Sequence, residues 1–330
     1  MKHFFEKITR YMTSRKSQSS RKEFLRGIAV SLSSITLVKA LSVPALAESE
    51  KKLKPRQKRI TQTMCDLAVV KGNNPAAITR KAIQALGGMS RFVKKGDIVV
   101  IKPNIGWDRA PEYAANTNPD VVATLVRLCY DSGAKIVKVF DNTCNSSAMC
   151  YTNSGIADAV KKSGGQISYV NSSKFIPVRF PAGSALESWP LYLDAVECDS
   201  FINVPIAKHH SLAGLTLSMK NLMGICGGSR GEIHVNLDKK LADLTKFINP
   251  DLTVIDAYRI LLHHGPLGGN LNDVKITKTV IAGTNPVLAD AYTATLFDID
   301  PKKIGSIRMG EEYGLGSANI SNAKITKISV

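Results

Sequence analysis

Cysteine is scarce in this sequence and badly spaced for metal. The six residues Cys65, Cys129, Cys144, Cys150, Cys198 and Cys226 form no CxxC pair. That argues against a ferredoxin-type iron–sulfur cluster or a structural zinc held by this chain alone. Aromatic residues make up only 6% of the chain and the basic residues are scattered. Nucleic-acid surfaces interleave the two, and no nucleic-acid-binding module signature is present either. There is no Ser-His-Asp order, no HExxH and no GxSxG, which removes the familiar hydrolase templates. The glycine-rich stretch Gly224, Gly227, Gly228 and Gly231 lacks Walker spacing, so it is not a P-loop. No apolar run reaches the roughly 20 uninterrupted residues of a membrane span.

What remains is ordinary globular material. The chain has 330 residues, 44% of them apolar and 22% charged, enough for one large or two modest domains. Its formal charge of +17 is unevenly spread, because residues 1–47 hold nine basic and two acidic side chains and leave +10 on the rest. An excess of that size suits a solvated basic surface or a small anionic partner.

Residues 1–47 read as a signal peptide: a long basic start, a modestly apolar run from Gly27 to Leu46 interrupted by Lys39, then Ala45-Leu46-Ala47. The run Ser20-Arg21-Lys22-Glu23-Phe24-Leu25-Arg26 resembles the twin-arginine export motif, with Lys22 in place of the second arginine. The resemblance implies transport of an already folded protein by the twin-arginine translocation machinery to the periplasm or another extracytoplasmic space. No stable membrane span is expected after cleavage. Residues 48–60 are polar and without periodicity and read as a linker, and residues 61–330 form the body.

The body alternates strands and helices. Asp97–Ile101 is a continuous β-branched run ending in Lys102-Pro103-Asn104, a helix is expected over Pro119–Ser132 with Gly133 as its stop, and Lys135–Phe140 is a strand running into Asp141. Strand, helix, strand is the unit of a parallel sheet. The expected fold is therefore α/β, with a mostly parallel sheet built from βαβ units. Phe201–Ile206 reads as a buried strand that ends where Lys208, His209 and His210 begin, and Leu212–Ile225 reads as a helix carrying Lys220 and Asn221. Leu252–Ile255 is expected to be a strand ending in Asp256. The match between the strands leading to Asp141 and Asp256 raises the idea of two related halves. Cys144 and Cys150 are close enough in sequence to bridge in an oxidising compartment.

In open α/β sheets ligands bind just beyond the carboxyl ends of strands, and the polar residues collect there. Lys102, Lys208, Lys220 and Asp256 are the candidate catalytic residues. Asn104, Asn221 and Arg230 are candidates for holding substrate, and His210, His234 and Asp141 for a divalent metal, since imidazole and carboxylate donors suit zinc, manganese or iron. Lysines at strand ends would neutralise a phosphate or carboxylate.

The order of several short motifs resembles the bacterial and archaeal family known as domain of unknown function 362. They are Lys102-Pro103-Asn104, Asn116-Thr117-Asn118-Pro119-Asp120, Asn203-Val204-Pro205 with Lys208 and His210, Leu217-Ser218-Met219-Lys220-Asn221-Leu222-Met223-Gly224, Asp256-Ala257, Gly265-Pro266 and Asp290-Ala291. The chain departs from the pattern at Asn285, where an aspartate usually precedes the proline. The resemblance implies a fold and site positions without implying a reaction. The expectation is an exported enzyme acting on a small anionic substrate with metal assistance. The same residues would also serve a non-catalytic periplasmic anion-binding or sensing protein, or a redox or cofactor-maturation partner of another exported protein.

Overall fold

The computed structural model describes residues 53–59 and 63–330. The expected signal peptide and the first part of the linker lie outside the described residues. β1 (Leu67–Lys71) leads into α1 (Pro75–Ala85). Asn74 caps α1 by accepting a hydrogen bond from the Ala77 N–H at 2.9 Å, and Pro75 supplies the preset φ of a first helical residue. β2 (Ile98–Pro103), α2 (Pro119–Asp131) and β3 (Ile136–Val139) form the expected βαβ unit. Asn118 caps α2 through the Asp120 N–H, and Gly133, at φ 95°, ends the helix in a left-handed turn.

α3 (Ser147–Asn153), α4 (Ile156–Lys162) and β4 (Gln166–Ile167) follow. A separate antiparallel ribbon pairs β5 (Phe175–Arg179) with β6 (Ser188–Tyr192). Then come α5 (Leu193–Glu197), β7 (Ser200–Val204), β8 (Ile206–His210), β9 (Gly214–Thr216), α6 (Ser218–Asn221) and α7 (Leu237–Ile248). The chain closes with β10 (Leu252–Leu261), β11 (Val274–Gly283), α8 (Pro286–Ala294), α9 (Gly305–Glu312) and β12 (Ile325–Ser329).

The main sheet has the order β12-β1-β11-β10-β7-β2-β3-β4, with β8 and β9 branching from β10. The pairs β4–β3–β2–β7–β10, β10–β8 and β1–β12 are parallel, while β11 runs antiparallel to both neighbours and β9 to β8. The expected mostly parallel α/β sheet is thus the observed one. Successive residues of its central strands point to opposite faces, and both faces are covered. Val99, Ile101, Ile202 and Val254 pack with Ile78, Leu125 and Val160 of the helices on one side. Val100 and Phe201 pack with Leu241, Leu244 and Phe247 of α7 on the other. Each such side chain contributes roughly 1.5–3 kcal/mol relative to exposure.

Four local expectations are corrected. The strand expected to stop at Ile206 stops at Val204, and after Pro205 the chain resumes as β8. Pro205 has no N–H for a ladder, and β10 takes the two strands in turn, pairing with Ile202 and Asn203 and then with Ile206 and Lys208. Lys208 to His210 therefore sit within a strand. The helix expected over 212–225 is first a hairpin, with Lys208 opposite Thr216 and His210 opposite Gly214. Gly214 turns at φ 71°, and only α6 and a short 3-10 turn, Leu222–Ile225, are helical.

Asp256 lies mid-strand, because β10 continues to Leu261, whereas Asp141 follows the end of β3. The two aspartates hold unlike positions. Residues 53–59, read as linker, are pinned to the domain: Arg56 pairs with Asp251 at 2.8 Å, with the two side chains 7% and 0% exposed, and Leu53 packs against the apolar cluster on the α7 side.

Candidate functional site: a lysine-lined cavity

Beyond the carboxyl ends of β2 and β3, beneath the β8–β9 hairpin, lies a cavity of about 330 Å³. Lys102, Asn104 and Asp141 reach it from the strand ends, Lys208 and His210 from β8, Lys220, Asn221 and Gly224 from α6 and its turn, and Arg230 and His234 from the glycine-rich segment. Nine of the ten candidate residues meet here. Asp256 does not line the cavity: its oxygens accept the Asn118 N–H at 2.8 Å and the Tyr258 N–H at 3.0 Å. That joins the start of α2 to a bulge in β10, and burial raises its pKa to about 6. Asp290 does similar work, accepting the Ser218 and Met219 N–H groups at the start of α6. Asn285 caps α8 through the Leu288 N–H, so an amide suffices at that departure from the family pattern.

The cavity floor is a chain of amides and ammoniums. Lys102 Nζ lies 2.7 Å from Asp141 Oδ1 and donates to the Pro103 carbonyl at 2.7 Å and to Asn221 Oδ1 at 3.1 Å. Asn104 donates its amide to the same Asn221 oxygen and accepts from Lys208 Nζ, each at 3.1 Å. Asn221 donates onward to Asn203 Oδ1 at 2.8 Å and to the Lys102 carbonyl at 3.2 Å. Strand ends that are far apart in sequence are thereby fixed to one another. Asp141 Oδ2 accepts the Ile105 N–H at 2.7 Å.

A lysine ammonium has three hydrogens to give, and the three cavity lysines differ in how many are committed. Lys102 is fully buried, donates to Pro103 and Asn221 and is ion-paired with Asp141. Lys208, 1% exposed, gives two, to Asn104 and to the Ala115 carbonyl at 2.5 Å. Lys220, 9% exposed, has no acceptor among the described residues. Its pKa is lowered to about 8, first by burial and then by Arg230. Burial, with Lys220 and Lys102 nearby, lowers Lys208 to about 7. Lys102 is lowered by burial against the opposing pull of Asp141. Arg230 is held at the mouth by donating to the carbonyls of Asn142 and Thr143.

The two imidazoles stack at 5.7 Å with opposite proton arrangements, assigned from their partners. His210 Nδ1 accepts the Leu212 and Ala213 N–H groups at 3.1 and 3.3 Å, so its proton is on Nε2. Burial and then the Lys220 charge push its pKa down to about 3, leaving it neutral. His234 Nδ1 is 3.0 Å from the Gly231 carbonyl, which only accepts, so Nε2 holds a lone pair; that atom is buried without a hydrogen-bond partner. Of the remaining histidines, His209 accepts the Gly265 N–H, and His264 faces solvent beside Asp273 at 2.8 Å.

The expected metal set is not assembled. Asp141 is committed to Lys102 and the Ile105 N–H, and His210 Nδ1 to the backbone. Among the described residues no group of three or more His, Cys, Asp or Glu is gathered as a metal site. Four cationic side chains around a single carboxylate, Lys102, Lys208, Lys220 and Arg230 with Asp141, are a poor fit to a divalent cation.

Cys144, absent from the candidates, also lines the cavity, with Arg230 Nη2 3.3 Å from its sulfur. It is exposed, Cys150 is buried in α3, and both are free thiols. The suggested bridge is not formed, because Cys150 turns its sulfur toward the Gly106 carbonyl. Nothing in the local sequence marked Cys144, since its neighbour Arg230 is 86 residues away.

Fold and site define an α/β protein with a cationic cavity at its strand ends. The chain belongs to the family described as Domain of unknown function (DUF362), whose model matches residues 99–295, a span that holds every cavity residue named above. A similar protein is the thylakoid-associated protein sll1697 of Synechocystis sp. (strain ATCC 27184 / PCC 6803 / Kazusa), 28% identical over 254 residues that cover 72% of this chain and 75% of that one. Among solved structures, the lactate racemase apoprotein from Thermoanaerobacterium thermosaccharolyticum aligns with a TM-score of 0.42 at 12% identity over 71% of this chain. A Thermotoga maritima protein aligns with a TM-score of 0.42 at 11% identity over 73%. The chain spans 59% and 60% of the lengths of those two structures.

Proposed function

We propose that the protein is an exported enzyme that takes a small anionic substrate, a carboxylate or a phosphate ester, into this cavity. One observation carries the reading: Lys220 is nine-tenths buried, lines the cavity and has no acceptor among the described residues. A desolvated ammonium without a partner is costly, and an anion supplies the missing acceptors. The third hydrogen of Lys208 and the Arg230 guanidinium add to the same field. His210 Nε2–H and the His234 Nε2 lone pair offer one hydrogen-bond donor and one general base on the same wall. Export rests on the basic, apolar, Ala-x-Ala leader. No step here is assigned to a metal.

Calorimetric titration with inorganic phosphate and with pyruvate at pH 7 tests the reading. Binding is expected to weaken at least tenfold in Lys220→Met and to be unchanged in Lys81→Met, a solvent-exposed control on α1. It is also expected to fall as pH rises through 7 to 9, where Lys208 and Lys220 lose their protons. Equal binding by both variants would overturn it. Binding without turnover of any small anion would favour a sensing protein. Affinity that appears only after manganese or zinc is added would return His210 and His234 to a metal role.

A further inference from the structure

The hydrogen counts of the three lysines separate their chemistry as well as their charge. An ammonium clamped by oxygen acceptors has no lone pair to offer, which describes Lys102 and most of Lys208. Lys220 has no hydrogen-bond acceptor among the described residues, and Arg230 and Lys102, which act on its charge, are themselves cations. Desolvation and adjacent cations are the conditions under which a lysine works as a neutral amine. Around it stand an unpartnered acceptor, His234 Nε2, a neutral donor, His210 Nε2–H, and two cations able to hold an anionic group.

Building on the proposed anion site, we propose that Lys220 is a nucleophile that forms an imine with the carbonyl carbon of a small 2-oxo acid, whose carboxylate is held by Lys208 and Arg230. The Lys220 lone pair attacks the carbonyl carbon, forming the C–N bond while the C=O electron pair moves to oxygen. His234 Nε2 takes a proton from nitrogen and, as the imidazolium, hands it to the oxygen, while His210 Nε2–H hydrogen-bonds that oxygen and keeps its proton. His234 Nε2 then carries the second amine proton to the hydroxyl, which leaves as water as the nitrogen lone pair forms C=N, and both imidazoles end as they began. The sum is amine plus carbonyl giving imine plus water, with no oxidant or reductant.

Reductive trapping of the intact protein decides it. Glyoxylate and sodium cyanoborohydride at pH 7, followed by peptide mapping, should place the reduced adduct on Lys220, with phosphate slowing the reaction and Lys220→Arg abolishing it. At a pKa of about 8, Lys220 is neutral about two orders of magnitude more often at pH 7 than an ordinary lysine, so it should label about that much faster than exposed lysines. Its rate should rise with pH to a plateau above 8, opposite to the trend of phosphate affinity. Glyoxylate spread over exposed lysines with Lys220 unmodified, in protein that still binds phosphate, would overturn the imine and leave the anion site standing. Failure of phosphate binding together with failure of trapping would overturn both.

Discussion

Replacing Asp141 with asparagine leaves the Lys102 ammonium fully buried with no counter-charge. Asparagine keeps the size and its one oxygen can still accept the Ile105 N–H, but its NH2 then replaces the oxygen that faces Lys102. Two routes give its magnitude. Removing one partner of a buried ion pair costs about 3–5 kcal/mol. Lys102 can escape by losing its proton, which for a lysine of ordinary pKa near 10.4 costs about 5 kcal/mol at pH 7 and about 2 kcal/mol at pH 9.

The sign follows from proton counting. Burial already depresses the folded-state pKa of Lys102, so between that pKa and the unfolded value the unfolded chain binds more protons and stability rises with pH. In Asp141→Asn the folded pKa falls further and the window opens at lower pH. Urea unfolding of both proteins at pH 7 and pH 9 should therefore show a deficit of about 3–5 kcal/mol that shrinks to about 2 kcal/mol or less. Groups common to both proteins cancel in the difference. A deficit under about 1 kcal/mol at both pH values would refute the assignment of Lys102 and Asp141 as the pair that fixes the cavity floor.

Two further outcomes follow from neighbouring atoms. A Cβ on Gly224 would collide with Asp141 Oδ1 and come within 2.5 Å of Lys102 Nζ, so Gly224→Ala should destabilise by roughly 1–3 kcal/mol and weaken phosphate binding; unchanged urea midpoint and affinity would contradict this. Cys144 is the one exposed thiol of the six and should react first with iodoacetamide in the folded protein, with phosphate slowing the reaction. Equal rates with and without phosphate would place the anion elsewhere.

The parallel sheet was legible because its strands carry the pattern openly: Ile98 to Ile101 is an unbroken β-branched run, and Asn118-Pro119 and Gly133 mark both ends of α2. Lys102 and Lys208 were legible as polar residues at the ends of apolar segments, and Lys220 as a lysine within an apolar one. The hairpin was not, because Leu212, Leu215, Met219 and Leu222 fit a helical spacing, and only the ladder with β8 and the turn at Gly214 decide otherwise. Asp256 misled because an aspartate after an apolar run looks the same whether the strand ends there or bulges and continues. The division of labour among the lysines was hidden altogether. It depends on acceptors such as the Ala115 carbonyl and Asn221 Oδ1, which lie 93 and 119 residues away from the lysines they hold.

The most direct measurement is a diffraction structure of the protein soaked in inorganic phosphate at pH 7. The anion should lie inside the cavity with an oxygen about 2.7–3.2 Å from Lys220 Nζ and another near Lys208 or Arg230. A cavity free of phosphate at saturating concentration, with Lys220 turned to an acceptor of the protein itself, would contradict it.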